Sequence, residues 1–213
     1  MILRTGHAPT ADWHEPLQLQ GFGLTLAPLV VGDATDFLTA LGPPEERAEV
    51  VAHLTFAAPT NLADATKIIE AAVHDHRRLA YAQRLDATGE LVGSTSFYEI
   101  DPILRALAIG HTWVARPHWR TFVNTASKLI MLERAFDGLG AERVVWHTDI
   151  RNVRSQAAIE RLGAVREGVL RHHRIRRDGS WRDTVQFSML SDEWPEVRRR
   201  LEGRLGSRPD QRD

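Results

Sequence analysis

The chain of 213 residues has no cysteine. That excludes disulfide staples, thiolate zinc sites and a cysteine nucleophile together, and it accords with a reducing compartment, so a cytoplasmic location is expected. Net charge is nearly absent as well: 27 basic against 28 acidic residues leave −1. No overall field draws such a chain to nucleic acid. Long apolar runs are missing. Nothing approaches the roughly 20 residues that span a bilayer, and the opening MILRTGHAPTADWHEP holds no apolar stretch of signal-peptide length. Neither a nucleic-acid nor a membrane partner is expected. Metal-ligand spacing is lacking too: no two histidines show the His-x-x-x-His pattern, and His172 and His173 would point to opposite faces of a strand. No metal site is expected.

What the chain does have is the material for a core. With 43% hydrophobic and 26% charged residues, its length favours one domain. We place that domain at 21–205, after an irregular arm (1–20) and before a disordered polar tail (206–213). GLTLAPLV, from Gly23, alternates like an edge strand, and residues 33–41 and 45–56 suggest short helices. Thr60 is a candidate N-cap for a helix that sets Leu62, Ala65, Ile69, Ala72 and Val73 on one face. Strands at 79–85 and 91–98 are joined by the turn Asp86-Ala87-Thr88-Gly89, and 107–114 continues as a third. Leu129, Leu132, Phe136 and Leu139 recur at helical spacing before Gly138 and Gly140. RVVWHTDI (143–150) is apolar on both faces at its centre, as a covered strand is. Asn152 caps a helix that runs to Leu162 and stops at Gly163. Two strands then flank Asp178-Gly179, and a basic helix begins near Glu193 with Pro195 in its first turn. Helices interleaved with strands predict an α/β (α+β) domain: a mixed, mostly antiparallel sheet of about seven strands, with helices on both faces.

Between one apolar strand and one apolar helix lies HWRTFVNTASK (118–128). A strand, a tight loop and a helix N-terminus together cradle phosphate, because unpaired amides point out of the first helical turn. Such loops usually carry glycine, and this one has none. Val123, Asn124 and Thr125 supply amides there, Thr121 and Thr125 hydroxyls, and Arg120 or Lys128 positive charge. Taken alone, Asn124 is an ordinary cap, and Lys128 and Arg120 are ordinary solvated cations.

A longer series of motifs runs through the C-terminal half. It comprises Ile109-Gly110-His111-Thr112-Trp113, Asn124 with Lys128, Thr148-Asp149-Ile150-Arg151-Asn152, Arg154-Ser155, Leu162-Gly163-Ala164, Glu167-Gly168-Val169-Leu170-Arg171, Asp178-Gly179 and Arg182-Asp183. In this order and spacing the chain resembles the GNAT N-acetyltransferase superfamily, in its RimJ/RimL-like branch. The hairpin Gly89-Glu90-Leu91-Val92-Gly93 is similar to that family's hairpin before the cofactor strand.

The resemblance implies acetyl-CoA as co-substrate and a primary amine as acceptor, either a protein N-terminal α-amine or a small-molecule amine, acetylated by direct attack. It implies that the strand ending at Trp113 and Val114 runs parallel to the one ending at Ile150 and splays from it. Pantetheine would lie in the resulting V along the backbone near Val114, with the pyrophosphate on the 118–128 loop. The family's Gln/Arg-x-x-Gly-x-Gly/Ala pattern falls on Trp119, Phe122 and Asn124, so all three of its key positions are replaced. Asn152 and Ser155 read by themselves as a cap and a first-turn residue. The resemblance adds an amide facing pantetheine and a hydroxyl that protonates the departing thiolate. Tyr98 and Arg174 are expected to line the acceptor site, Arg174 at a position where relatives carry a carboxylate. Glu99, Asp149 and Asp183 remain as bases acting through water, and Glu167 as a structural acceptor. The alternative is a catalytically weak acyl-CoA-binding module of the same fold; a homodimer accords with either.

Overall fold

The computed structural model describes residues 11–206. Eight strands form one sheet in the order β1 (Leu19–Gly21), β2 (Leu24–Pro28), β3 (Arg78–Leu85), β4 (Leu91–Asp101), β5 (Ala106–Val114), β6 (Arg143–Asp149), β8 (Trp181–Leu190), β7 (Val165–Ile175). Every neighbouring pair is antiparallel except β5 with β6, which is parallel as anticipated. The strand beyond the expected seven is β1. It takes its first two residues from the stretch read as an irregular arm, because three residues are too few to show a period of two. Residues 1–10 of the arm and 207–213 of the expected tail lie outside the described residues; Gly206 closes the last helix.

Helices α1 (Ala34–Ala40), α2 (Pro44–Val50) and α3 (Leu62–Val73) cover one face of the sheet. Helices α4 (Val123–Glu133), α5 (Val153–Leu162) and α6 (Trp194–Gly206) cover the other. The cap of α3 is Asn61, whose Oδ1 accepts from the Asp64 amide at 3.0 Å, while Thr60 bonds the Asp64 carboxylate instead. Asn152 and Gly163 bracket α5 as read from the sequence, Gly163 at φ 100°, where a Cβ would be strained.

The larger core lies under α4 to α6 and includes Leu129, Met131, Trp146, Phe187 and Leu201. Each such fully buried side chain contributes about 1.5–3 kcal/mol of transfer free energy. The smaller core, under α1 to α3, packs Phe37 edge-on to Trp113 with centroids 4.9 Å apart. These helices leave the β6–β8–β7 end of their face uncovered, and β7 is exposed along most of its length. Arg177, on the β7–β8 hairpin, donates to the carbonyl oxygens of Phe56 at 2.8 Å and Ala52 at 3.3 Å. That ties the hairpin to the turn after α2.

Candidate active site

Parallel pairing between β5 and β6 lasts for three residue pairs, Ala106–Ala108 with Arg143–Val145. Beyond them β5 follows β4 and β6 follows β8, so the strands part. The cause is local to β5. His111 sits at φ 52°, and the β4 register jumps from Ser96↔Gly110 to Ser94↔Trp113, an extra residue that bends the strand away. A V-shaped cleft results, with the facing edges of 109–114 and 146–149 unpaired by one another.

Tyr98 closes the base of this V. Its ring lies on Gly110, where a Cβ would stand 2.7 Å from Cε1. Its hydroxyl reaches Nδ1 of His147, on the far strand, at 3.0 Å. His111 packs edge-on to the same ring, centroids 5.2 Å apart. The contact continues as a chain across the sheet. His147 Nε2 lies 3.2 Å from Gln186 Oε1, and Gln186 Nε2 donates to Glu167 Oε2 at 2.7 Å. Arg143 clamps both Glu167 oxygens, at 2.6 and 2.5 Å, and Ser188 donates to Oε1 at 2.8 Å.

For the neutral imidazole, the direction of each bond in that chain follows from its Glu167 end. The Arg143 hydrogen bonds hold the Glu167 carboxyl down to about 2, so it only accepts. Gln186 must then turn its amide nitrogen to Glu167 and its oxygen to His147. Nε2 of His147 therefore carries the proton, Nδ1 presents a lone pair, and the Tyr98 hydroxyl donates to it. Burial and the neighbouring Glu99 carboxylate push the Tyr98 phenol up, and burial with Arg78 and Arg174 lowers His111 to about 4. At neutral pH the Tyr98 phenol and the His111 imidazole are therefore uncharged.

The expected residues fall into three groups. Tyr98 and Arg174 are at the cleft, with Arg174 donating to Glu99 at 3.3 Å; Glu99 also stands 3.7 Å from His147 Nδ1. Asn152 caps α5 by accepting from the Ser155 amide at 3.0 Å, and the Ser155 hydroxyl has no partner among the described residues. Around the loop, Trp119 donates Nε1 to the Val114 carbonyl at 2.7 Å, and the Arg154 guanidinium lies 4.0 Å from the Trp119 ring centroid. Arg120 is exposed and takes the left-handed conformation (φ 63°) that a loop glycine would adopt. Thr121 Oγ1 donates to the His118 carbonyl at 2.7 Å and is 3.4 Å from the Val123 amide. The amides of Asn124 and Thr125, in the first turn of α4, meet no acceptor among the described residues.

Three expectations need correction. Lys128 does not reach the loop: it is 4% exposed, and Nζ donates to Thr95 Oγ1 at 3.0 Å and Thr112 Oγ1 at 2.7 Å beneath the sheet. Asp149 is not a free base. Burial pushes its carboxyl up, but two hydrogen bonds from Arg176, at 2.6 and 2.9 Å, and one from the Arg151 amide outweigh that and hold it below the ordinary range. Trp113 turns its side chain into the smaller core, and its carbonyl oxygen lies on the β4 side, accepting from Gln83 Nε2 at 3.2 Å. Asp183, for its part, accepts from the His172 amide at 2.7 Å. The residue that sequence reasoning missed is His147, one of ten histidines in the chain. Its place in the apolar strand 143–149, with an outward parity, was the only signal.

A bulged strand splaying from a parallel neighbour, with a helix N-terminus at the mouth, defines a class of fold, and comparison with known proteins identifies it. Residues 23–165 match the acetyltransferase (GNAT) domain family, and the chain belongs to that family. YdaF of Bacillus subtilis (strain 168), assigned by name to the ribosomal N-acetyltransferases, is 31% identical over 106 residues, which are 50% of this chain and 57% of that protein. The chain thus matches little more than half the length of that curated relative. Among solved structures, a GCN5-related N-acetyltransferase from Brucella melitensis superposes with a TM-score of 0.86 at 26% identity, covering 93% of this chain and 89% of the other. RimJ of Mycobacterium smegmatis, in complex with CoA-disulfide, shares the fold with a TM-score of 0.72 at 22% identity, over 88% and 93%.

Proposed function

We propose that the chain is an acetyl-CoA-dependent N-acetyltransferase that acts on a primary amine, a protein N-terminal α-amine or a small-molecule amine, by direct attack. The observation that carries this reading is the Tyr98–His147 bridge across the point where β5 and β6 part, a proton acceptor already polarised at the base of the cleft. Acetyl-CoA, as the second substrate, supplies an acyl group activated as a thioester. The residues present fit it: the open β5 edge suits a pantetheine arm, and the Asn124 and Thr125 amides suit a pyrophosphate.

The incoming ammonium gives a proton to the Tyr98 oxygen while the Tyr98 hydroxyl proton passes to His147 Nδ1. The resulting imidazolium is stabilised by Gln186 Oε1 and the nearby Glu99 carboxylate. The neutral amine attacks the acyl carbon, the carbon–sulfur bond breaks, and backbone amides freed by the β5 bulge receive the carbonyl oxygen. The amine nitrogen's second proton neutralises the thiolate by way of Ser155, and His147 returns its own to solvent.

The test is release of free thiol from acetyl-CoA with a panel of amines. Turnover supports the reading. Tight CoA binding with no turnover on any amine would instead favour the acyl-CoA-binding module, which the Trp119–Val114 contact and the glycine-free loop make the second reading.

A further inference from the structure

Arg182 projects from β8 on the same face as His147 and Asp149. It is half-buried, its Nε is shut off from solvent, and its guanidinium has no hydrogen-bond or ion-pair partner among the described residues. The carboxylate nearest in influence, Asp149, is already engaged by Arg176. Directly across the strand pair stands Arg174. Like charges in that position are destabilising in a sheet, and of the two guanidiniums Glu99 pairs with Arg174.

A third guanidinium, Arg78, enters from β3 beside Tyr98. It is partly buried and bonded through Nε to Ser96 Oγ at 3.0 Å, without a carboxylate within ion-pair distance among the described residues. After burial, Arg78, Arg174 and Arg182 each disfavour protonation of His111, with Asp75 opposing, and Arg174 and Arg182 both act on Tyr98 and His173. Leaving a guanidinium unpaired in a partly dry groove costs stability, and a fold retains such an arrangement at low cost only where an anion visits. An incoming substrate with that charge gains a bidentate partner.

Resting on the N-acetyltransferase reading above, we infer that Arg182, with Arg174 and Arg78, forms an anion subsite, and that the preferred acceptor carries a carboxylate close to its reacting amine. Two sources share that chemistry: the α-carboxylate of a free amino acid, and an acidic side chain in the first residues of a peptide. The subsite places negative charge opposite Arg182 while the amine meets Tyr98.

The experiment pairs acceptors that differ only in charge. Free glutamate is set against its α-amide, and a peptide beginning Ser-Glu against one beginning Ser-Gln; the pair with the larger ratio names the source. For the wild-type protein kcat/KM should favour the carboxylate of one pair by about 30-fold, the weight of one charge-assisted hydrogen bond. In Arg182→Gln that ratio should fall to near unity, with CoA affinity by calorimetry unchanged. The variant should not melt lower than wild type, because it relieves the Arg174–Arg182 opposition. Equal loss on charged and neutral acceptors in Arg182→Gln, or a wild-type ratio near unity in both pairs, overturns the inference. A readout without turnover separates it from the catalytic reading: binding of N-acetylaspartate, compared with its diamide, to the CoA-loaded protein. Selective binding of the acid, lost in Arg182→Gln, upholds the subsite even if no amine is acetylated; equal binding of both refutes it.

Discussion

Lys128 offers the sharpest test of how the structure was put together. Its ammonium lies beneath the sheet, held by two threonine hydroxyls and no carboxylate among the described residues, and burial lowers it from 10.5 to about 7. The unfolded chain keeps the proton up to the ordinary value, whereas the folded protein releases it near 7. The unfolded state therefore binds more protons between those limits, and stability rises with pH across that window, by about 5 kcal/mol in all at about 1.4 kcal/mol per pH unit. Lys128→Met keeps the volume and removes the charge. Thr95 and Thr112 lose a donor but stay 2.8 Å apart and bond each other, so the loss is about 1–2 kcal/mol. At pH 6.5 the variant should be more stable than wild type by about 3 kcal/mol, the burial penalty less the lost hydrogen bonds. The advantage should vanish, and then reverse slightly, towards pH 10. Urea unfolding at pH 6.5, 8 and 9.5 measures both the sign and the slope. A difference that does not change with pH would refute the assignment of a buried, depressed lysine, and a loss of CoA affinity in the variant would return Lys128 to the phosphates.

Further outcomes follow from the cleft. His147→Asn and Tyr98→Phe should each lower kcat/KM about 10²-fold for an alkylammonium acceptor, and far less for an amine already neutral at the assay pH; equal losses on both acceptors would mean the pair only shapes the pocket. Gly110→Ala should cost about 1–3 kcal/mol by overpacking against the Tyr98 ring, in chemical denaturation, and lower activity with it; an unchanged midpoint would contradict the contact. Ser155→Ala should reduce kcat about 10²-fold with CoA affinity held, as removal of a general acid does. Full activity in that variant removes the hydroxyl from the reaction.

The fold was legible where local chemistry decides it. The Asp178-Gly179 turn, the Asn152 cap and Gly163 at the end of α5 each carry their reason within a few residues. The parallel β5–β6 pair came from the family resemblance, and the helix-length crossover between the strands accords with it. The site was legible only in outline. Residues 126–132 of α4 are all buried, so helical position could not show which way Lys128 points. At the bulge the left-handed residue is His111 and not the neighbouring Gly110, so the glycine does not mark where the strand bends. Tyr98 and His147 meet only because the sheet places β4, β5 and β6 side by side, a relation that no spacing in the chain expresses. Asp149 looked available because its partner, Arg176, belongs to a hairpin 27 residues away.

The row of contacts from Arg143 to Tyr98 has a further meaning. It is a wire with a fixed polarity, and the setting is made at its outer end, where Glu167 lies on the exposed edge strand β7. For the neutral imidazole two side chains inward, a solvent-facing ion pair thus selects which nitrogen is free to take a proton. Relatives can keep the tyrosine and the histidine and still exchange donor for acceptor by altering that edge alone. A search for divergent chemistry among such chains should therefore start at the rim of the sheet, where drift is cheapest, before it turns to the pocket.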